Sequence, residues 1–197
     1  RIVWQQDSSR ITGANHLLVP GNGQSDLANN RLCVLKSTPT EHPALLLDFG
    51  KELQGGLQLV TGMPPSHDPV SVRVRFGESV SEAMCEIDGA NGASNDHAMR
   101  DFVVSLPWLG VQEIGNSGFR FVRIDVLGDS TELQLKEVRA ISTFRDIPYL
   151  GSFRCNDERL NRIWKTGAYT VHLNMQEYLW DGVKRDRLVW VGDLHPE

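Results

Sequence analysis

The chain has 197 residues, with 20 basic against 25 acidic side chains and a formal net charge of −5. That excess of acid, with a pI near 5.7, excludes a large phosphate-binding surface and so a nucleic-acid partner. Forty per cent apolar and 23% charged residues exclude disorder and collagen-like repeats, and leave a chain able to bury a core.

Three cysteines, Cys33, Cys85 and Cys155, form no CxxC pair, so neither a disulfide framework nor a cysteine zinc site is expected. No apolar run approaches the roughly 18 residues that span a bilayer, and the opening RIVWQQDSSR lacks a basic-then-apolar leader pattern, so no membrane partner is expected. The chain starts without Met and stops just after a dense run of charged and aromatic residues, which reads as a piece excised from something longer.

Up to about residue 147 the pattern is all-β. Short apolar stretches alternate with turn residues at intervals of roughly 8 to 12 positions, and no long stretch has helical period. The expected strands are Ala44 to Phe49, Leu57 to Thr61, Val70 to Phe76, Phe102 to Leu106, Phe119 to Val126 and Leu133 to Ile141. In Val70 to Phe76 four apolar side chains alternate with Ser71, Arg73 and Arg75, one face for a core and one for water. In Phe119 to Val126 the apolar phase shifts, as a bulge or a strand covered on both faces requires.

Between them, Pro20-Gly21-Asn22-Gly23, Pro64-Pro65, Asp88-Gly89-Ala90-Asn91-Gly92 and Gly115-Asn116-Ser117-Gly118 carry turn chemistry. Gly50 to Gly56 reads as a hairpin turn; no Gly-Lys-Ser/Thr follows, so it is no phosphate loop. The fold expected is mainly β, a jelly-roll-like antiparallel β-sandwich over residues 1–147.

The period changes after Ile147-Pro148-Tyr149-Leu150-Gly151. Asn156 or Asp157 is a cap, and Leu160, Ile163, Trp164, Gly167, Val171 and Met175 recur at helical spacing, predicting a helix of about 18 to 20 residues. Its apolar stripe needs a partner surface that the remaining residues are too few to build, so residues 148–197 read as the start of an incomplete helical domain.

The tail from Trp180 to Asp193 holds three carboxylates, three cations and two indoles. If it is helical from Lys184 onward, Asp186 and Asp193 lie about 20° apart on one face, with Trp190 between them and Asp181-Gly182 turning a third carboxylate to its mouth. Carboxylates beside guanidinium groups and indole faces suit a sugar, offering hydroxyl contacts, ring stacking and a proton for a leaving oxygen. The same charges also suit solvent-facing ion pairs.

Elsewhere the chemistry is sparse. His16, His42, His67, His97, His172 and His195 have no ligand spacing, so no metal and no cofactor is expected; for His195, two residues after Asp193, a surface role is expected ahead of a place near a sugar pocket. The serines lack a G-x-S-x-G context.

The run DGVKRDRLVWVGD, preceded by GSFRCNDERLNRIWKTGAYTVHLNMQEYLW, resembles the junction between β-sandwich and catalytic helical domain in bacterial α-L-rhamnosidases, the inverting six-hairpin enzymes of glycoside hydrolase family 78. LLLDFGKELQGGLQLV, VRVRFGESVSE and GFRFVRIDV resemble strands of that family's sandwich. The resemblance implies an (α/α)6-type barrel of which only the first helix is present, and a general acid five residues after the turn Asp, here Asp186. It implies that Asp181 and Asp193 hold rhamnose hydroxyls, that Arg185 sits beside them and that Trp190 walls the −1 pocket.

The family's acid is most often Glu, one methylene longer than Asp186, and Val183 stands where many members have Pro. The general base is a Glu far downstream in the family, matched by no residue here, so the chain alone is expected to be inactive. The partners implied are a rhamnose-containing oligosaccharide or glycoside and the remainder of the catalytic domain. Alternatives are a non-catalytic carbohydrate-binding or structural sandwich module, a hydrolase for another sugar, and a relative without activity.

Overall fold

Val70, Val72, Val74 and Phe76 are all buried, as their period of two requires, and they lie in strand β5 (Val70–Gly77). The computed structural model, which describes residues 1–27, 30–87 and 100–195, surrounds it with antiparallel partners. These are β1 (Ile2–Gln6), β2 (Ile11–Thr12), β3 (Cys33–Lys36), β4 (Ala44–Thr61), β6 (Asp101–Leu106), β7 (Val111–Val126) and β8 (Glu132–Ser142). They form one hydrogen-bonded path, β2-β3-β8-β4-β7-β5-β6, with β1 added on β4. The expected turn over residues 88–92 lies outside the described residues.

That path becomes a sandwich because its two long strands serve both leaves. The first part of β4 pairs with β1 and with Phe121 to Asp125 of β7, while its second part pairs with β8 and with Val111 to Ser117 of β7. Between these parts the register shifts twice, at Asp48/Leu53 and Gly55/Leu57. The inner faces then meet in one core: Leu45, Leu47, Val72, Val74, Val122 and Ile124 from one leaf, Leu35, Leu57, Leu59, Leu133 and Leu135 from the other. Phe119 fills the bend, edge-on to Phe76 at 4.9 Å and to Phe49 at 5.8 Å.

Two expectations fail here. Gly50 to Gly56 is no hairpin and Gly115 to Gly118 no turn, because β4 and β7 run through both. Gly50 (φ 91°), Gly55 (φ 144°) and Gly115 (φ 80°) absorb the bends in conformations that L side chains resist, so the chain bulges without leaving the ladder. The phase shift in β7 is coverage on both faces. Phe121 points away from the main core and packs with Leu46 and Ala83, against helix α1 (Val80–Met84).

After β8 there is no regular structure until α2 (Glu158–Asn174), 17 residues long. Asp157 is its cap, its carboxylate accepting from Arg159 N at 2.7 Å. Leu160 and Ile163 of the apolar stripe are exposed, and the helix docks through its C-terminal half instead. Tyr169 Oη donates to Glu52 O at 2.6 Å, and Leu173 and His172 are buried. Among the described residues no helix is long and apolar enough to cross a membrane.

Candidate functional site

Beyond α2 the chain doubles back. Trp180 N donates to Asn174 O at 3.0 Å, and the Trp180 ring is buried. Asp181 then closes a loop in both directions: its N–H donates to Leu188 O at 2.9 Å, and its carboxylate accepts from Leu188 N at 2.9 Å. Inside this neck Arg187 Nε donates to Val183 O at 3.1 Å, and its guanidinium lies over the Trp180 ring at 5.2 Å and reaches Asn116 O of β7.

The helix expected from Lys184 does not form. Asp186 (φ 58°) and Arg187 (φ 55°) both adopt left-handed backbone, and Arg187 N turns to Arg185 O at 2.7 Å. Leu188 N, a donor such a helix needs, is taken by Asp181, so the local side-chain bond wins over helical pairing. Asp186, Trp190 and Asp193 therefore share no helical face.

Three of the five site residues, Asp181, Arg185 and Asp186, sit in the closed loop. Arg185 projects into solvent, its Nε 3.8 Å from Asp186 Oδ1, and the Asp186 side chain is 29% exposed at the loop's tip. Trp190 and Asp193 lie on the exposed segment beyond, where Asp193 N donates to Trp190 O at 3.0 Å. His195 is exposed in the same turn-rich stretch. Asp181 also lines an open groove along α2, where the polar Arg159, Arg162, Thr166, Thr170 and Asn174 alternate with the apolar Ile163, Gly167 and Val171. Of these the sequence marks only Asp181 as a site residue; the Asn174 Oδ1 is buried without a hydrogen-bond partner.

The sandwich grips this loop. Val183 is buried against Gly118 of β7, where a Cβ would come within 2.5 Å of Val183 Cγ2, so a larger residue there would displace Val183. The Gln54 amide of β4, with its nitrogen turned inward, donates to Val183 O at 3.0 Å and Ser117 O at 3.2 Å. Lys184 Nζ donates to Glu82 of α1 and lies 3.8 Å from Glu78. Burial pulls the Lys184 ammonium below the usual lysine range, and the carboxylates of Glu78 and Glu52 oppose it. Sequence reading missed this anchoring, since Lys184 and Glu82 are 102 residues apart and nothing local signals their meeting. Among the described residues no three His, Cys, Asp or Glu side chains converge as a metal site requires.

Comparison with known proteins bears on both parts of the chain. Residues 148–197 match the family model of the bacterial alpha-L-rhamnosidase six-hairpin glycosidase domain. An alpha-L-rhamnosidase of Formosa agariphila is 31% identical over 78 residues, which is 40% of this chain and 8% of that protein. A rhamnosidase from Klebsiella oxytoca, solved with rhamnose bound, matches with a TM-score of 0.67 at 23% identity, over 81% of this chain and 32% of that one. A family 78 rhamnosidase of Bacillus sp. GL1 matches with a TM-score of 0.67 at 21% identity, over 92% and 17%. The two solved structures speak to the fold, a mainly antiparallel sandwich like theirs. The chain spans less than a tenth of the curated relative and a third or less of each solved one.

Proposed function

We propose, for a chain that is bacterial α-L-rhamnosidase-like in fold and in the sequence of residues 148–197, that it is part of an inverting glycoside hydrolase releasing terminal α-L-rhamnose from oligosaccharides or glycosides. Residues 1–147 are the sandwich domain, and residues 148–197 bring α2 and the acid-bearing loop of a catalytic helical domain.

In this reading Asp186 is the general acid. It gives its proton to the glycosidic oxygen as the bond to the anomeric carbon breaks, while a second carboxylate, roughly 6.5 to 9.5 Å away on the opposite face, takes a proton from the attacking water. The attack from that face inverts the anomeric centre. Asp181 and Asp193 accept hydrogen bonds from rhamnose hydroxyls, Arg185 sits beside them, and Trp190 closes the pocket at the −1 sugar. The base is supplied by residues outside this chain, so the 197-residue chain by itself does not turn over.

The observation that carries the reading is the match of residues 148–197 to the rhamnosidase six-hairpin domain, with Asp186 on a loop whose neck Asp181 and Leu188 close by two hydrogen bonds. Asp186→Asn in the full-length protein tests it. Loss of a general acid lowers kcat on an unactivated rhamnoside by about 10²- to 10⁴-fold with KM little changed. An unchanged kcat would remove Asp186 from the acid's role.

A further inference from the structure

Three carboxyl groups of the sandwich converge where the Asp186 loop meets it: Glu52 of β4, Glu78 just after β5, and Glu82 of α1. The cation they surround is Lys184, two residues before Asp186. Its side chain is only 13% exposed, and that of Glu82 only 18%. Glu82 also receives Arg100 Nη1 at 3.3 Å, and it accepts from Glu78 N at 2.8 Å, just before the Ser79 cap of α1. Glu82 is thus held by sandwich contacts that do not involve Lys184, and a part-buried ion pair in such a frame is less screened than one on the surface.

We propose that Lys184 is a positioning residue, whose seat on Glu78 and Glu82 sets the height and direction of the Asp186 turn and makes the sandwich a working part of the acid's site. This rests on reading Asp186 as the acid. The Asp181–Leu188 bonds close only the neck of the loop. An acid must be held to within ~0.5 Å of a productive position, which the neck alone does not do for a carboxylate at the tip. Val183 and Arg187 pin the flanks through β4 and β7, and Lys184 adds an ion-paired tie to α1. Without it, Glu78 loses its cation and Glu82 keeps Arg100 and the Glu78 N–H, while the loop keeps its neck and gains freedom at its tip.

The test uses the full-length protein and two rhamnosides, one with an activated dinitrophenyl leaving group and one with a simple alkyl leaving group. A misplaced acid harms only the substrate that needs its proton. Lys184→Met is expected to lower kcat on the alkyl rhamnoside by about tenfold or more, and on the dinitrophenyl rhamnoside by less than about threefold, with KM within about twofold. Lys184→Arg, which keeps the cation, recovers most of the loss. An equal loss on both substrates, or none, overturns the proposal.

A second arm needs no catalysis. Trypsin cutting after Arg185 becomes about tenfold faster in Lys184→Met at an unchanged melting temperature, because local opening of the loop is easier. Unchanged cleavage overturns the seat itself. A wild-type enzyme silent on both rhamnosides defeats the acid reading and with it the catalytic half of this inference, while the trypsin arm still decides whether Lys184 holds the loop.

Discussion

Glu52 keeps a proton that an exposed glutamate gives up. Burial pushes its carboxyl from the ordinary 4.5 up to about 8, the charge of Glu78 adds to the rise, and Lys184 and Arg120 oppose it. Tyr169, which donates to the Glu52 backbone from α2, is itself pushed up, by burial first and then by Glu52. A folded-state value above the unfolded one means that the folded chain binds the extra proton. Its stabilising contribution is full below pH 4.5, declines as pH rises to about 8, and is gone above that. Glu52→Gln keeps the shape and removes the titration. Urea unfolding is expected to show the variant gaining on the wild type steadily between those two pH values; a difference independent of pH would contradict this. Asp48 carries the opposite sign, because hydrogen bonds from Arg120 at 2.8 and 3.1 Å, and from Arg1 and Gly50, hold its carboxyl well below the usual range. Its contribution is lost as pH falls. At this scale the sequence exposes the carboxylates of the tail but not their holders, since Asp181 reads as a turn residue while its bonds to Leu188 appear only once the loop has closed.

Among the elements, the bend shared by β4 and β7 decides the architecture, and it is where reading by turn residues goes wrong. Glycines mark a break in a sequence pattern, yet Gly55 and Gly115 allow a continuous strand to change leaves. At Gly55 a Cβ would lie 1.9 Å from Ile141 O, a backbone atom that cannot step aside, and φ is +144°. Gly55→Ala is therefore expected to cost about 3 kcal/mol or more by urea denaturation, against about 1 kcal/mol for Gly50→Ala, where a new Cβ meets nothing within 4 Å. Equal costs would mean that the bend does not depend on the close approach. Helix α2 is legible in outline, because Asp157 and the 3.6-residue spacing are local signals. The helix expected from Lys184 was not legible, because a side chain seven residues back takes one of its backbone donors.

For the whole molecule, the sandwich does more than precede a helix: β4, β7 and α1 hold the loop that carries Asp186, while Leu160 and Ile163 of α2 and Trp190 and Val191 of the tail face outward. Apolar groups so placed suit coverage by the remainder of a helical domain, the same body from which the proposed general base comes. The central claim is that acid and base come from different parts of one longer enzyme. The most direct measurement is release of L-rhamnose from an aryl α-L-rhamnoside, by the full-length protein and by the 197-residue chain in parallel. Turnover by the full protein and none by the chain alone is the predicted result; full turnover by the chain alone, or silence from both, would contradict it.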